Sequence, residues 1–181
     1  MSATDRPLLL IPGDDPVQIA GSPRLETLGE HFEVRLFDNR PTDDAEKLER
    51  ASAATAMINS RGAVTWPGEV LRQLPDLKFI STCGIGTDSI DLVACRELGI
   101  TVSNIPGRTA PVVAEHAFAL MMAISRKTSY FTAAMKRNDW HQVLSTSLSG
   151  KTLGVIGTGN IGTEMIRLSR AFGMQVIAWS F

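Results

Sequence analysis

Val155-Ile156-Gly157-Thr158-Gly159-Asn160-Ile161-Gly162 decides the fold, because an apolar strand pattern runs into it and a helical pattern runs out of it. The strand reads Thr152-Leu153-Gly154-Val155-Ile156, helical periodicity covers about Asn160 to Phe172, and Gly173-Met174-Gln175-Val176-Ile177-Ala178-Trp179 reads as the next strand. This is a βαβ unit with Gly-x-Gly-x-x-Gly at its first turn, the pattern of a dinucleotide-binding turn. Gly157 permits the tight turn, Gly159 lets the backbone approach a pyrophosphate, and Gly162 lets the helix pack closely on the strand. The helix N-terminus adds amide donors and a positive dipole end, which makes Asn160 and Ile161 candidate cofactor contacts beside the three glycines.

The same pattern calls for Asp or Glu at the end of the second strand, about 20 residues on, to bind the ribose hydroxyls. Ser180 stands there instead. Without a carboxylate the site lacks both a charge-assisted grip on NAD and the repulsion that excludes a 2′-phosphate, so NAD and NADP remain alternatives. Two strands and one helix are marginal as a sheet, and a mononucleotide-binding half has about three strands. The nucleotide domain is therefore expected to be incomplete within these residues. Either further sequence after Phe181 completes it, or the unit packs on the segment before it or on another chain.

Upstream, short β-rich runs alternate with helical patterns. Leu8-Leu9-Leu10-Ile11, Glu33-Val34-Arg35-Leu36-Phe37, Ala56-Met57-Ile58-Asn59, Leu77-Lys78-Phe79-Ile80-Ser81 and Thr101-Val102-Ser103 read as strands. Helices are expected around Pro23 to Glu30, Asp43 to Ala53, Gly68 to Gln73 and Asp91 to Leu98. Five strands with intervening helices imply an open parallel sheet covered on both faces, a small α/β domain over residues 1–104. Residues 105–181 then hold linker helices and the βαβ unit. Thr109 can cap the helix that follows, Pro111 suits its first turn, and the run from Val112 to Ile124 is apolar nearly all round, which predicts burial between domains or subunits. Helical patterning resumes to about Arg137, with Lys127, Lys136 and Arg137 on a solvated face.

Composition narrows the class. Among 181 residues, 18 Lys and Arg against 19 Asp and Glu leave a net charge of -1, which offers no electrostatic case for nucleic acid or an anionic membrane. Cys83 and Cys95 read as reduced thiols, and the first residues enter a strand without a signal-peptide pattern. No apolar run reaches membrane-span length, so a cytoplasmic protein is expected. No group of His, Cys, Asp or Glu has metal-ligand spacing. Glu115 and His116 are adjacent in a helix, so their side chains diverge by about 100 degrees and they read as structural. His31 and His141 read as surface histidines.

Three motifs together resemble the D-isomer-specific 2-hydroxyacid dehydrogenases, which include phosphoglycerate, glyoxylate and formate dehydrogenase relatives. They are Cys83-Gly84-Ile85-Gly86-Thr87-Asp88-Ser89-Ile90-Asp91, Val113-Ala114-Glu115-His116, and Leu153 through Gly162, in matching order and spacing. The resemblance implies a flavodoxin-like substrate domain followed by the start of a Rossmann NAD(P)-binding domain, with the active site in a cleft between them. It implies that Gly84, Ile85 and Gly86 hold a substrate carboxylate, a role the exposed amides of a loop after a parallel strand can fill. It also implies that Ile85 touches the nicotinamide, that Ser60-Arg61-Gly62 is a second substrate loop in which Arg61 pairs with the acid, and that Thr109 lies where relatives carry an Asn near the cofactor.

The family's hydride transfer between a nicotinamide and C2 of a 2-oxo or 2-hydroxy acid uses an Arg, a His and a Glu or Asp that lie after the Gly-rich turn. By that resemblance no catalytic residue falls within this sequence, and the 181-residue chain alone is expected to have negligible dehydrogenase activity. The alternative expectation is a non-catalytic nucleotide-binding or dimerisation module. A small 2-oxo or 2-hydroxy acid partner and a homodimer are also implied by the resemblance.

Overall fold

In the computed structural model, residues 6–180 are described, and the chain divides into two compact units that meet between Pro106 and Gly107. The first unit is a five-stranded sheet made of β1 (Leu8–Ile11), β2 (Glu33–Leu36), β3 (Ala54–Asn59), β4 (Phe79–Thr82) and β5 (Thr101–Ser103). Every pairing is parallel and the order is β2-β1-β3-β4-β5. This is the flavodoxin-like order, with its topological switch between β1 and β3. The helices α1 (Arg24–Gly29), α2 (Asp44–Ala51), α3 (Gly68–Leu71) and α4 (Leu92–Leu98) make the crossovers.

The burial of each strand follows its place in the sheet. All four residues of β1 are buried, as the continuous run Leu8-Leu9-Leu10-Ile11 requires of a central strand covered on both faces. β2 and β5 lie at the edges and alternate between exposed and half-buried positions. The core gathers Leu8, Leu10, Met57, Trp66, Leu71 and Ile80. Because the strands are parallel, the loops after β1, β2, β3 and β4 all emerge at one edge of the sheet. At that edge such folds bind ligands.

The second unit contains α5 (Ala110–Ser125), α6 (Thr128–Lys136), β6 (Thr152–Ile156), α7 (Asn160–Ala171) and β7 (Gln175–Trp179). β6 and β7 pair in parallel as a separate two-stranded sheet, which gives the βαβ unit read from the Gly-rich turn. β7 begins two residues later than expected. Gly173 adopts a left-handed conformation (φ 73°) and Met174 donates its N–H to the carbonyl of Ser169, so both residues end the helix instead of starting the strand.

One expectation for α5 needs correction. Thr109 occupies the position before the helix, but its own backbone is helical and its side chain makes no capping hydrogen bond. Within this chain the helix packs on one face. Ala110, Ala114 and Phe118 turn inward, with the Phe118 ring 4.6 Å from that of Phe172, while Val112 (66% exposed), Leu120 and Ile124 (78%) lie open with His116 along the opposite stripe. Spacing by four residues puts each set on one face. An apolar composition thus serves one packed face and one open face.

Candidate functional site

The loop after β4 has its polar groups sorted by direction. The Gly84 carbonyl accepts from the Ile105 N–H (2.9 Å) and from the Thr82 hydroxyl (3.1 Å), and the Ile85 carbonyl accepts from the Asn104 side-chain amide (2.8 Å). The N–H groups of Gly84, Ile85 and Gly86 make no hydrogen bond among the described residues. With the carbonyls held by the protein and the amides left over, the loop is a set of donors open to an acceptor. Ile85 itself is 45% exposed at the crest. Cys83, at the base, is a free thiol pushed above its ordinary pKa by burial and by the nearby Asp14 carboxylate, which disfavours a thiolate there.

Arg61 comes from the next loop along the same edge. It sits in a short 3-10 turn after β3 in the left-handed region (φ 49°, ψ 29°) and takes part in no ion pair or hydrogen bond among the described residues. A Cβ built on Gly84 would lie 3.8 Å from the Arg61 Cα, so the two expected substrate loops are brought side by side. What holds Arg61 in that conformation is Asn59, a fully buried residue at the end of β3. Its amide donates to the Val64 carbonyl (2.8 Å) and the Ser89 hydroxyl (3.2 Å), and its carbonyl accepts from the Val64 N–H (3.2 Å). Asn59 therefore closes residues 60–63 into a fixed loop and ties it to the segment following Gly84. Sequence reading passed over Asn59, Thr82 and Asn104. The available signal was a polar residue with local hydrogen-bonding capacity at the end of an apolar strand.

In the second unit the Gly-rich turn has the expected glycine geometry. Gly157 takes φ 90°, and its N–H bonds to the Trp179 carbonyl at 2.7 Å. A Cβ on Gly159 would meet nothing within 4 Å, so that backbone faces open space. No side chain caps α7, which leaves the amide donors of its first turn, Asn160 to Gly162, without a capping partner. A Cβ on Gly162 would collide with the Gly157 carbonyl oxygen, and Val155 of β6 is its next neighbour. Gly162 is thus demanded first by the turn itself and then by the strand. A Cβ on Gly107 would lie 3.3 Å from the Asn160 side-chain amide, which brings the chain two residues before Thr109 close to the first residue of α7. The residues present fit a pyrophosphate: an uncapped helix N-terminus behind a bare, unobstructed backbone. Ser180 directly follows the last residue of β7, where a ribose-binding residue would be placed.

His141 lies on the surface, as expected, and bonds two neighbours there. Its Nδ1 meets Asp139 Oδ1 at 2.8 Å and its Nε2 meets the Tyr130 hydroxyl. Glu115 and His116 are both exposed. Among the described residues no group of three or more His, Cys, Asp or Glu is arranged to hold a metal, and no helix is long and apolar enough to cross a membrane.

Comparison with known proteins matches nearly the whole chain to two domain models of one family. Residues 14–146 match the D-isomer specific 2-hydroxyacid dehydrogenase catalytic domain, and residues 118–181 match the NAD binding domain of the same family. A hydroxypyruvate reductase of Thermotoga maritima is 39% identical over 158 residues, which cover 86% of this chain and 48% of the relative. A D-3-phosphoglycerate dehydrogenase of Mycobacterium tuberculosis is 35% identical over 154 residues, covering 84% of this chain and 29% of the relative. Among solved structures, an acyclic imino acid reductase in complex with NADPH and D-Arg superimposes with a TM-score of 0.82 at 26% identity, covering 94% of this chain and 55% of that one. A glyoxylate reductase from Paecilomyes thermophila gives 0.81 at 27%, covering 97% and 56%. The chain spans about half the length of these relatives or less. A match over most of its residues, by both domains in their proper order, places the chain in the D-isomer specific 2-hydroxyacid dehydrogenase family.

Proposed function

We propose that this chain forms the substrate-domain and nucleotide-turn portion of an oxidoreductase that moves hydride between NAD(P) and the C2 carbon of 2-oxo and D-2-hydroxy acids. The observation that carries the reading is the row of open amides at Gly84, Ile85 and Gly86 beside an Arg61 that has no ion-pair partner among the described residues. Three N–H donors and an arginine on the adjacent loop, at the carboxyl edge of a parallel sheet, are suited to a small carboxylate.

In this reading residues 1–104 are the substrate domain, and residues 105–181 supply linker helices and the first βαβ of the cofactor domain. Gly157, Gly159, Asn160, Ile161 and Gly162 would hold the pyrophosphate, Ser180 the ribose, with Ile85 and Thr109 nearer the nicotinamide. The cofactor when bound supplies the hydride. The residues named here bind and orient. A cytoplasmic location and a homodimer complete the proposal.

Gly159 offers a clean test, because a side chain there meets nothing within 4 Å and has an ordinary φ of -66°. Gly159→Asp should fold normally yet lose NADH and NADPH binding by tenfold or more, about 1.4 kcal/mol, through anion repulsion at the helix N-terminus. Nicotinamide fluorescence titration of wild type and variant reads this directly. Absence of saturable binding of either nucleotide to the wild type would remove the cofactor assignment. The exposed apolar stripe on α5 favours a second reading, a nucleotide-binding or dimerisation module without catalysis. Binding of nucleotide without any 2-oxo acid would select it.

A further inference from the structure

Beside α6 the strap of residues 139–145 borders an open cleft of about 670 Å³. Phe131 and Met135, one turn apart on α6, supply apolar lining from the helix, and Trp140, Val143 and Leu144 supply it from the strap. The strap is fixed at both ends. Asn138 turns left-handed (φ 56°) after the helix and donates its N–H to the Met135 carbonyl (3.0 Å), while the Asp139 N–H reaches back to the Ala134 carbonyl (3.0 Å). Those two bonds close the helix and set Asp139 in place. At the far end the Thr146 N–H donates to the Ser125 carbonyl, the last residue of α5 (2.9 Å).

A carboxylate, an imidazole and a phenol stand in a row at this cleft. Asp139 and His141 line it, and the Tyr130 ring packs edge-on against the rings of Phe131 and His141, with centroids 5.7 and 5.6 Å apart. The ionised Asp139 carboxylate can only accept, so His141 Nδ1, 2.8 Å away, carries a proton. In the neutral imidazole Nε2 is then a bare acceptor, and the Tyr130 hydroxyl bonded to it is the donor. The phenol proton is thus aimed at a base that a carboxylate holds in the required tautomer, the arrangement that activates a nucleophile. None of these residues belongs to the substrate loops or to the Gly-rich turn. Tyr130 is the only tyrosine in the sequence.

We propose that Tyr130 is a nucleophile that takes up an acyl group from an activated ester whose apolar chain lies in this cleft. The phenol oxygen attacks the ester carbonyl carbon as its proton passes to His141 Nε2. A bond from the Tyr130 oxygen to the acyl carbon forms, the bond to the leaving oxygen breaks, and His141 returns the proton to the departing group. No oxidation or reduction is involved. Asp139 is a positioning residue, acting through His141.

The probes are 4-nitrophenyl acetate and 4-nitrophenyl hexanoate on the whole chain, with nitrophenolate release followed by absorbance and the acylated residue located by tandem mass spectrometry. Hexanoyl transfer to Tyr130 should run about a hundredfold faster than to N-acetyltyrosinamide in the same buffer, the size of general-base assistance. It should also outrun acetyl transfer, and Trp140→Ala should bring the two esters together. Tyr130→Phe should remove the fast phase of release, and His141→Gln should return the Tyr130 rate to that of the free phenol. Asp139→Asn should lose about tenfold or more and Asp139→Glu less, a difference that a packing role does not produce. Arg72→Gln, in a surface ion pair with Glu97, should change nothing. Melting temperatures establish that each variant is folded. Acylation confined to lysines or Cys83, a Tyr130 rate equal to that of the free phenol, or an unchanged rate in His141→Gln overturns the proposal. Equal rates for the two esters in the wild type remove the cleft from it.

Discussion

Arg61 shows how a single residue can trade stability for position. A non-glycine residue in the left-handed region costs about 1–2 kcal/mol, and the bonds of Asn59 impose that conformation here. Arg61→Gly should raise folding stability by up to about 1 kcal/mol, after allowing for glycine's larger unfolded entropy, while weakening 2-oxo acid binding. Urea denaturation checks the first and ligand titration the second. Loss of stability in the variant would show that the arginine side chain contributes packing the structure does not reveal. Asn59→Ala removes both bonds to Val64 and leaves buried backbone groups unmet, so it should destabilise by about 1–3 kcal/mol. Gly162→Ala forces a methyl against the Gly157 carbonyl, and overpacking of that kind costs about 1–3 kcal/mol. Its urea midpoint should fall along with nucleotide affinity.

At the scale of elements, α2 is the best-defined helix start in the first unit. Asp43 accepts from the Glu46 N–H at 2.8 Å, and Glu46 reaches back to the Thr42 N–H at 2.7 Å and its hydroxyl at 2.8 Å. The backbone and hydroxyl bonds from Thr42, with Arg50 adding to them, hold the Glu46 carboxyl at about 2 against an ordinary 4.5. A depressed acid contributes stability that is present in full above pH 4.5 and is lost as pH falls from 4.5 toward about 2. The stability difference between wild type and Glu46→Gln, followed by urea unfolding, should therefore shrink across that window; a difference independent of pH would contradict the carboxylate's role. This reciprocal start was legible, since Asp43 and Glu46 stand three apart before an amphipathic run. The face of α5 was not legible. Val112, Ala114, Phe118 and Ile124 are all apolar, so periodicity carried no information about which side meets α7.

For the whole molecule, the open stripe of α5, and separately the exposed Trp140 (82%) and Leu144 (93%), are the apolar residues left available to the proposed homodimer. Sedimentation velocity should give a dimer in the micromolar range, and Leu120→Lys combined with Ile124→Lys should give a monomer. A wild-type monomer across that range would remove the dimer.

The five parallel strands, the βαβ unit and the place of the loops after β3 and β4 at the carboxyl edge followed from sequence, because apolar runs alternate with helical patterns; the strand order β2-β1-β3-β4-β5 came with the tertiary structure. Gly157 was legible for the same local reason: only a residue without a Cβ suits its φ. Tertiary structure alone decided which polar atoms remain open. That the amides of Gly84 to Gly86 stay open among the described residues depends on Thr82, Asn104 and Ile105, which occupy the loop's carbonyls instead. Hydrogen-bond satisfaction is a property of groups distant in sequence and adjacent in space, so no local pattern in the chain encodes it.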